Sequence, residues 1–172
     1  MQHAPELFAA LLTYKDITDD VSAGRSLYKA QAYAAARILE RLQQVQAAGG
    51  VAFVLADELF TGTNPQEGEA AVYSFLQYLG QHFGASGHCL LIDSLHFERP
   101  TLLGKQPGFV NKHVRIERDA HGFRYTYQLA DGIAPQDARI GIDILAQEGF
   151  PATLVASGRD VLQHPDKYQV PG

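Results

Sequence analysis

Residues 51–68 read VAFVLADELFTGTNPQEG: an apolar run, VAFVLA, ends in two adjacent carboxylates, Asp57 and Glu58, and a glycine–threonine turn follows. The run is short and is preceded by Gly49-Gly50, which predicts a strand rather than a helix. With hardly a polar residue in it, the strand is expected to be buried on both faces, as in parallel sheets with helices on either side. In open α/β sheets, functional groups collect at the carboxyl ends of the strands. The stretch therefore sets the fold class and aims two carboxylates out of the sheet.

Working outward, SLYKAQAYAAARILERLQQVQAA (residues 26–48) reads as a helix with Ile38, Leu39, Leu42 and Val45 on one face. Ser26 is a candidate N-cap and Gly49-Gly50 a stop. Downstream, GEAAVYSFLQYLGQHFG (68–84) returns to helical spacing, with Val72, Phe75, Leu76 and Leu79 inward, and HCLLIDS (88–94) reads as a second buried strand. Strand, helix and strand make a βαβ unit with a right-handed crossover. KHVRIERDAHGFRYTYQL (112–129) alternates on both sides of Asp119-Ala-His-Gly122, a hairpin signature. Phe123, Tyr125 and Tyr127 alternate along its second strand, and packing accounts for them better than base stacking. A short helix is expected within 138–149, stopped by Gly149, and another over 152–163. Residues 1–25 read as irregular and 164–172 as a loose tail, with no linker dividing the chain, so one domain over 1–172 is expected.

Composition narrows the class. The 172 residues include 46 % apolar and 19 % charged side chains, ordinary for a globular protein with a real core. No apolar run approaches the ~18 residues of a membrane span, and the N-terminal residues lack the pattern of a secretory signal. The single cysteine, Cys89, cannot form an internal disulfide, so a cytoplasmic setting is expected. The net charge of −5 and the absence of a dense Lys/Arg stretch argue against a domain that grips DNA by itself. The seven histidines show no metal-ligand spacing beside that lone cysteine, which argues against zinc.

An apolar strand followed by Asp-Glu is the Walker B pattern of nucleotide hydrolases. Asp57 at the strand tip can hold Mg²⁺, usually through water, and Glu58 can polarise an attacking water. A strand that merely ends in acidic turn residues has the same four letters.

The surrounding residues favour the first reading. DELFTGTNPQEG resembles the Asp-Glu-x-x-x-Gly-Thr segment of the MutS family, the ATPases of DNA mismatch repair, in which Walker B runs into the D-loop. Upstream, DDVSAGRSLYKAQ (19–31) is similar to that family's signature loop and helix. Downstream, YQLADGIAPQDARIGIDILAQEGFP (127–151) looks like its Tyr-x-Leu-x-x-Gly stretch and the short helix ending before a proline. The elements occur in family order over roughly residues 14–151.

The resemblance implies part of a P-loop NTPase sheet of the ABC/MutS type, flanked by helices and carrying a β-hairpin after the second core strand. It implies ATP and Mg²⁺ as ligands, Asp57 at the metal and Glu58 at the water. Gly24, Ser26 and Asn64 would contact nucleotide bound by a second copy of the domain. Mismatched or other DNA would be reached through domains this sequence does not contain.

The resemblance is incomplete. A hydrolase of this type needs Gly-x-x-x-x-Gly-Lys-(Ser/Thr), whose N–H groups and lysine cradle the phosphates. The only Gly-Lys is Gly104-Lys105, followed by Gln106, so Walker A is absent and is expected upstream of Met1. The family's glutamate in the signature helix is Gln31 here. Its histidine after the second strand aligns without gaps to Ser94, and His96 takes that role only if the loop is two residues longer. Two functions stay open: an ATPase module completed by a P-loop segment and a partner subunit, or a non-catalytic dimerisation or regulatory half-domain that keeps the same interface. A third, an unrelated hydrolase using Asp57 and Glu58 as an acid–base pair, lacks a substrate cleft legible in sequence.

Overall fold

The computed structural model describes residues 7–18, 26–119, 122–135, 138 and 140–168. They fall into two compact units, Met1–Val110 and Asn111–Gly172. Gly24 lies outside the described residues.

The first unit is a mixed α/β layer. Its sheet has three parallel strands in the order β1 (Ala10–Tyr14), β2 (Ala52–Asp57), β3 (Cys89–Ser94). Helix α1 (Leu27–Ala47) links β1 to β2, and α2 (Pro65–Leu79), continued by a π-helical turn over Gly80–Gly84, links β2 to β3. The strand β1 replaces the irregular start expected from sequence. Its ALLTY stretch is short and is held by pairing along β2, from Ala10 opposite Ala52 to Tyr14 opposite Ala56.

Strand order that follows chain order, with right-handed crossovers, puts both helices on the same side of the sheet. Burial agrees. Ala52, Val54 and Ala56 of β2 join one core with Ile38, Leu42 and Val45 of α1 and Val72, Leu76 and Leu79 of α2. The other side carries the register rows Leu11–Phe53–Leu90 and Thr13–Leu55–Ile92. There Leu11 is 64 %, Leu55 39 %, Leu90 51 % and Ile92 58 % exposed. The expectation of a strand buried on both faces is thus corrected: one layer of helices covers one face, and the other is apolar and open.

In the second unit, β4 (Lys112–Asp119) and β5 (Gly122–Asp131) form an antiparallel hairpin, with Asp119 opposite Gly122 and a register shift between Val114 and Ile116. Helices α3 (Gly141–Gln147) and α4 (Ala152–Gln163) follow. Asp143 accepts from Arg118 at 2.8 Å and Arg159 at 2.9 Å, so β4, α3 and α4 share one ion cluster. Those hydrogen bonds hold the Asp143 carboxyl below its ordinary value. Phe123 and Tyr125 meet edge to face at 5.6 Å, yet Tyr125 and Tyr127 stay exposed rather than packed in a core. Pro165–Tyr168 form a 3₁₀ turn tied back through Lys167 and Tyr168 to Asp160, where the sequence suggested a loose end. Among the described residues, no helix is long and apolar enough to cross a membrane.

Candidate functional site

Asp57 is the last residue of β2, the central strand, and Glu58 begins the loop that leaves it. By strand parity Asp57 lies on the open face, with Ser94 directly opposite on β3. The Ser94 hydroxyl donates to the Asp57 carboxylate. Both side chains are exposed at the carboxyl edge of the sheet.

Glu58 has φ +53° and Phe60 φ +55°, left-handed values that non-glycine residues adopt at a cost of about 1–3 kcal/mol each. The surrounding structure holds them there. Leu59 and Phe60 are buried, and the Phe60 ring meets Tyr14, Tyr28 and Phe75 at centroid distances of 6.3, 6.2 and 5.7 Å. Every second N–H of the loop has a partner. Glu58 donates to the Ser94 carbonyl at 3.1 Å, Phe60 to the Tyr14 hydroxyl at 3.3 Å, and Gly62 to Gln31 Oε1 at 2.8 Å. Burial pushes the Tyr14 phenol up to about 12. At Gly62 the backbone itself lies against α1, since a Cβ there would come within 2.7 Å of Leu27 Cγ and 2.8 Å of the Tyr28 nitrogen. That approach accounts for the glycine in the turn.

The loop after β3 returns to the same edge. His96 Nε2 lies 2.9 Å from Glu58 Oε1, so the two sequence candidates 38 residues apart meet, while Ser94 pairs with Asp57. A cavity of about 270 Å³ opens beside them, lined by Tyr14, Asp16, Ile17, Gln31, Asp57, Glu58 and Thr61.

The remaining candidates sit apart from this pair. Ser26 is the N-cap of α1 in extended backbone, and its hydroxyl makes no cap bond. Asn64 caps α2, accepting from the Glu67 N–H at 3.0 Å and donating to Glu67 Oε2 at 2.6 Å.

Sequence reasoning missed three residues. Tyr14 falls in the stretch that reads as irregular from sequence. Gln31 reads from sequence only as a departure from the family pattern, although it shares the inward face of Ala35, Ile38, Leu42 and Val45, and a polar residue on such a face is a legible signal. Asp93 lies half-buried on the covered face of β3, and its two carboxylate oxygens are buried with no hydrogen-bond partner among the described residues.

No group of three or more His, Cys, Asp or Glu that could hold a metal occurs among the described residues. The donor set is one carboxylate, Asp57, with a hydroxyl beside it. That suits Mg²⁺, which keeps most of its waters and takes one or two protein carboxylates plus substrate phosphates.

The first unit is thus a parallel-sheet α/β layer whose central strand carries an acidic pair at its tip, met there by a histidine from the loop after the next strand. Comparison with known sequences specifies it further. The family profile described as MutS domain V matches residues 3–165, and the chain belongs to the MutS family. DNA mismatch repair protein MutS of Geobacillus kaustophilus is 28 % identical over 162 residues, 94 % of this chain and 17 % of the relative. The Bacillus subtilis protein of that name is 27 % identical over 158 residues, again 17 % of its length. DNA mismatch repair protein MutS 2 of Haloarcula marismortui is 28 % identical over 145 residues, 14 % of its length. The chain thus spans less than a fifth of these relatives.

Proposed function

We propose that this chain supplies the water-activating and inter-subunit parts of an ATP-hydrolysing domain of the MutS type, a partial P-loop NTPase fold acting in DNA mismatch repair. The meeting of Glu58 with His96 at the tip of the central strand carries the reading. Bound Mg²⁺–ATP would supply the transferable phosphoryl group and the charge that organises it. Asp57, oriented by Ser94, would hold the metal through water. Glu58 would accept a hydrogen bond from the attacking water, and His96 beside it would fix the carboxylate's orientation and face the terminal phosphate. Ser26 at the α1 N-terminus, with Gly24 and Asn64, would face nucleotide bound by a second copy of the domain. Asn64 already spends its side chain on the α2 cap, so its part there would require that cap to loosen.

The phosphate cradle would come from a Gly-x-x-x-x-Gly-Lys-(Ser/Thr) segment outside this sequence, and DNA contacts from other parts of a longer protein. The open sheet face, Leu11, Leu55, Leu90 and Ile92, is an apolar surface on which a further layer can pack. A second reading, in which the domain dimerises or regulates without hydrolysing ATP, is favoured by Gln31 standing where the family carries a glutamate.

Replacing Glu58→Gln in a protein that joins this domain to its P-loop segment tests the assignment. Hydrolysis should fall by at least ~100-fold, the scale of a lost general base, with ATP binding retained. Unchanged turnover removes Glu58 from the chemistry, and absent turnover in the unsubstituted protein favours the non-catalytic reading.

A further inference from the structure

Gln31 is 4 % exposed, the only polar side chain in the buried set among the described residues. Its Oε1 accepts from the Gly62 N–H at 2.8 Å, and its Nε2 donates to Thr61 Oγ1 at 3.1 Å. A buried amide with both ends engaged is directional: it fixes where the loop lies relative to α1, which apolar packing alone does not. The loop needs such fixing, because Glu58 and Phe60 both hold left-handed backbone that would relax if released. Gln31 also lines the cavity with Asp16, Asp57 and Glu58.

We infer that Gln31 is a positioning residue: its side-chain amide clamps Thr61 and Gly62 to α1 and thereby holds Glu58 at the tip of β2. Tyr14 clamps the same loop at Phe60 from β1, so the acidic edge is held from a helix and a strand at once. The helix whose first residues lie nearest Ser26 is then mechanically tied to Glu58 through one side chain. A shift of α1 reaches Glu58 through that amide. The role assigned to Glu58 rests on the nucleotide reading above; the clamp itself does not.

Amide hydrogen exchange in the ¹⁵N-labelled 172-residue chain reads the clamp directly. In Q31A the Gly62 amide should exchange about tenfold faster, the scale of one lost hydrogen bond, while Leu42 and Val72 in the helical core keep their rates. Q31E retains two acceptor oxygens, one for Gly62 N–H and one for the Thr61 hydroxyl, and should bring Gly62 back to within about threefold of the native rate. Q31N keeps the amide on a shorter stem and should leave Gly62 as fast as in Q31A. An unchanged Gly62 rate in Q31A, or a Q31E rate matching Q31A, overturns the clamp. If Q31A loses protection throughout the core, the contrast between Q31E and Q31N decides alone, and equal rates in those two overturn it.

Mn²⁺ is a Mg²⁺ surrogate that broadens nearby amide signals even at low occupancy. It should broaden Asp57 and Glu58 together in the native chain but leave Glu58 less affected than Asp57 in Q31N. Equal broadening in Q31N overturns the positioning of Glu58. No broadening near Asp57 in the native chain counts against the nucleotide reading, and the Gly62 rates still judge the clamp.

Discussion

Asp93 shows how one buried carboxyl makes stability depend on pH. It stands opposite Ala56 in the parallel register, on the covered face, with both oxygens buried and unpartnered among the described residues. Burial first, and the charge of Asp57 second, push its carboxyl from 3.8 up to about 7. A raised acid is protonated in the folded chain while the unfolded chain has already lost the proton. Its contribution to stability is therefore complete below about pH 4 and is lost as the pH rises to about 7, with no further change above. Thermal melts from about pH 4 to about pH 8 should show the native midpoint falling through that window, with Asp93→Asn flattening the fall. Equal slopes in the two proteins would remove Asp93 as the cause. At this scale the sequence showed Asp57, Glu58 and His96 as candidates by residue type and neighbours. It did not show the upward shift of the Asp93 carboxyl, because HCLLIDS has the same letters whichever face its aspartate occupies.

The loop-to-helix junction at 58–67 is the element on which the site turns. Leu59 and Phe60 anchor it in the core, Gly62 lets it lie on α1, and Asn64 starts α2. Asn64 at the N-cap accepts from the Glu67 N–H, Pro65 fills the first turn, and the Glu67 carboxylate accepts in return from the Asn64 side-chain amide and, at 3.0 Å, from the Thr63 hydroxyl. Helix α2 consequently begins three residues before the Gly68 start expected from periodicity. The cap was legible in Asn-Pro-Gln-Glu, and a pattern search keyed to apolar spacing passes over it because none of those residues is apolar. Asn64→Ala should lower stability by about 1 kcal/mol, the usual worth of such a cap, measured as a shift in urea midpoint. A change near zero would mean that Glu67 and Thr63 hold the turn without it.

Across the whole first unit, the two faces of one strand should respond oppositely to truncation. Val54, 1 % exposed at the centre of the covered face, should cost about 2 kcal/mol as Val54→Ala, from lost burial and the cavity left behind. Leu55, 39 % exposed on the open face, should cost less than about 1 kcal/mol as Leu55→Ala although it is the larger side chain. Urea unfolding of both variants checks this, and a Leu55→Ala cost matching Val54→Ala would show that something covers the open face in solution. An open apolar face is also what a domain designed to receive another layer presents.

Local patterns in the sequence determined a good deal here: the strand–helix–strand order, the inward faces of α1 and α2, the hairpin turning between Asp119 and Gly122, and the acidic pair at a strand tip. These follow from periodicity and turn chemistry, which act between residues a few positions apart. Only the tertiary structure decided that Ala10–Tyr14 is a strand, that the helices share one face, that His96 meets Glu58, and that Gln31 and Tyr14 clamp the loop. Those contacts join residues 30 to 46 positions apart in the chain. Parallel pairing and buried hydrogen bonds at such separations depend on which surfaces the crossovers bring together, and no local propensity encodes that.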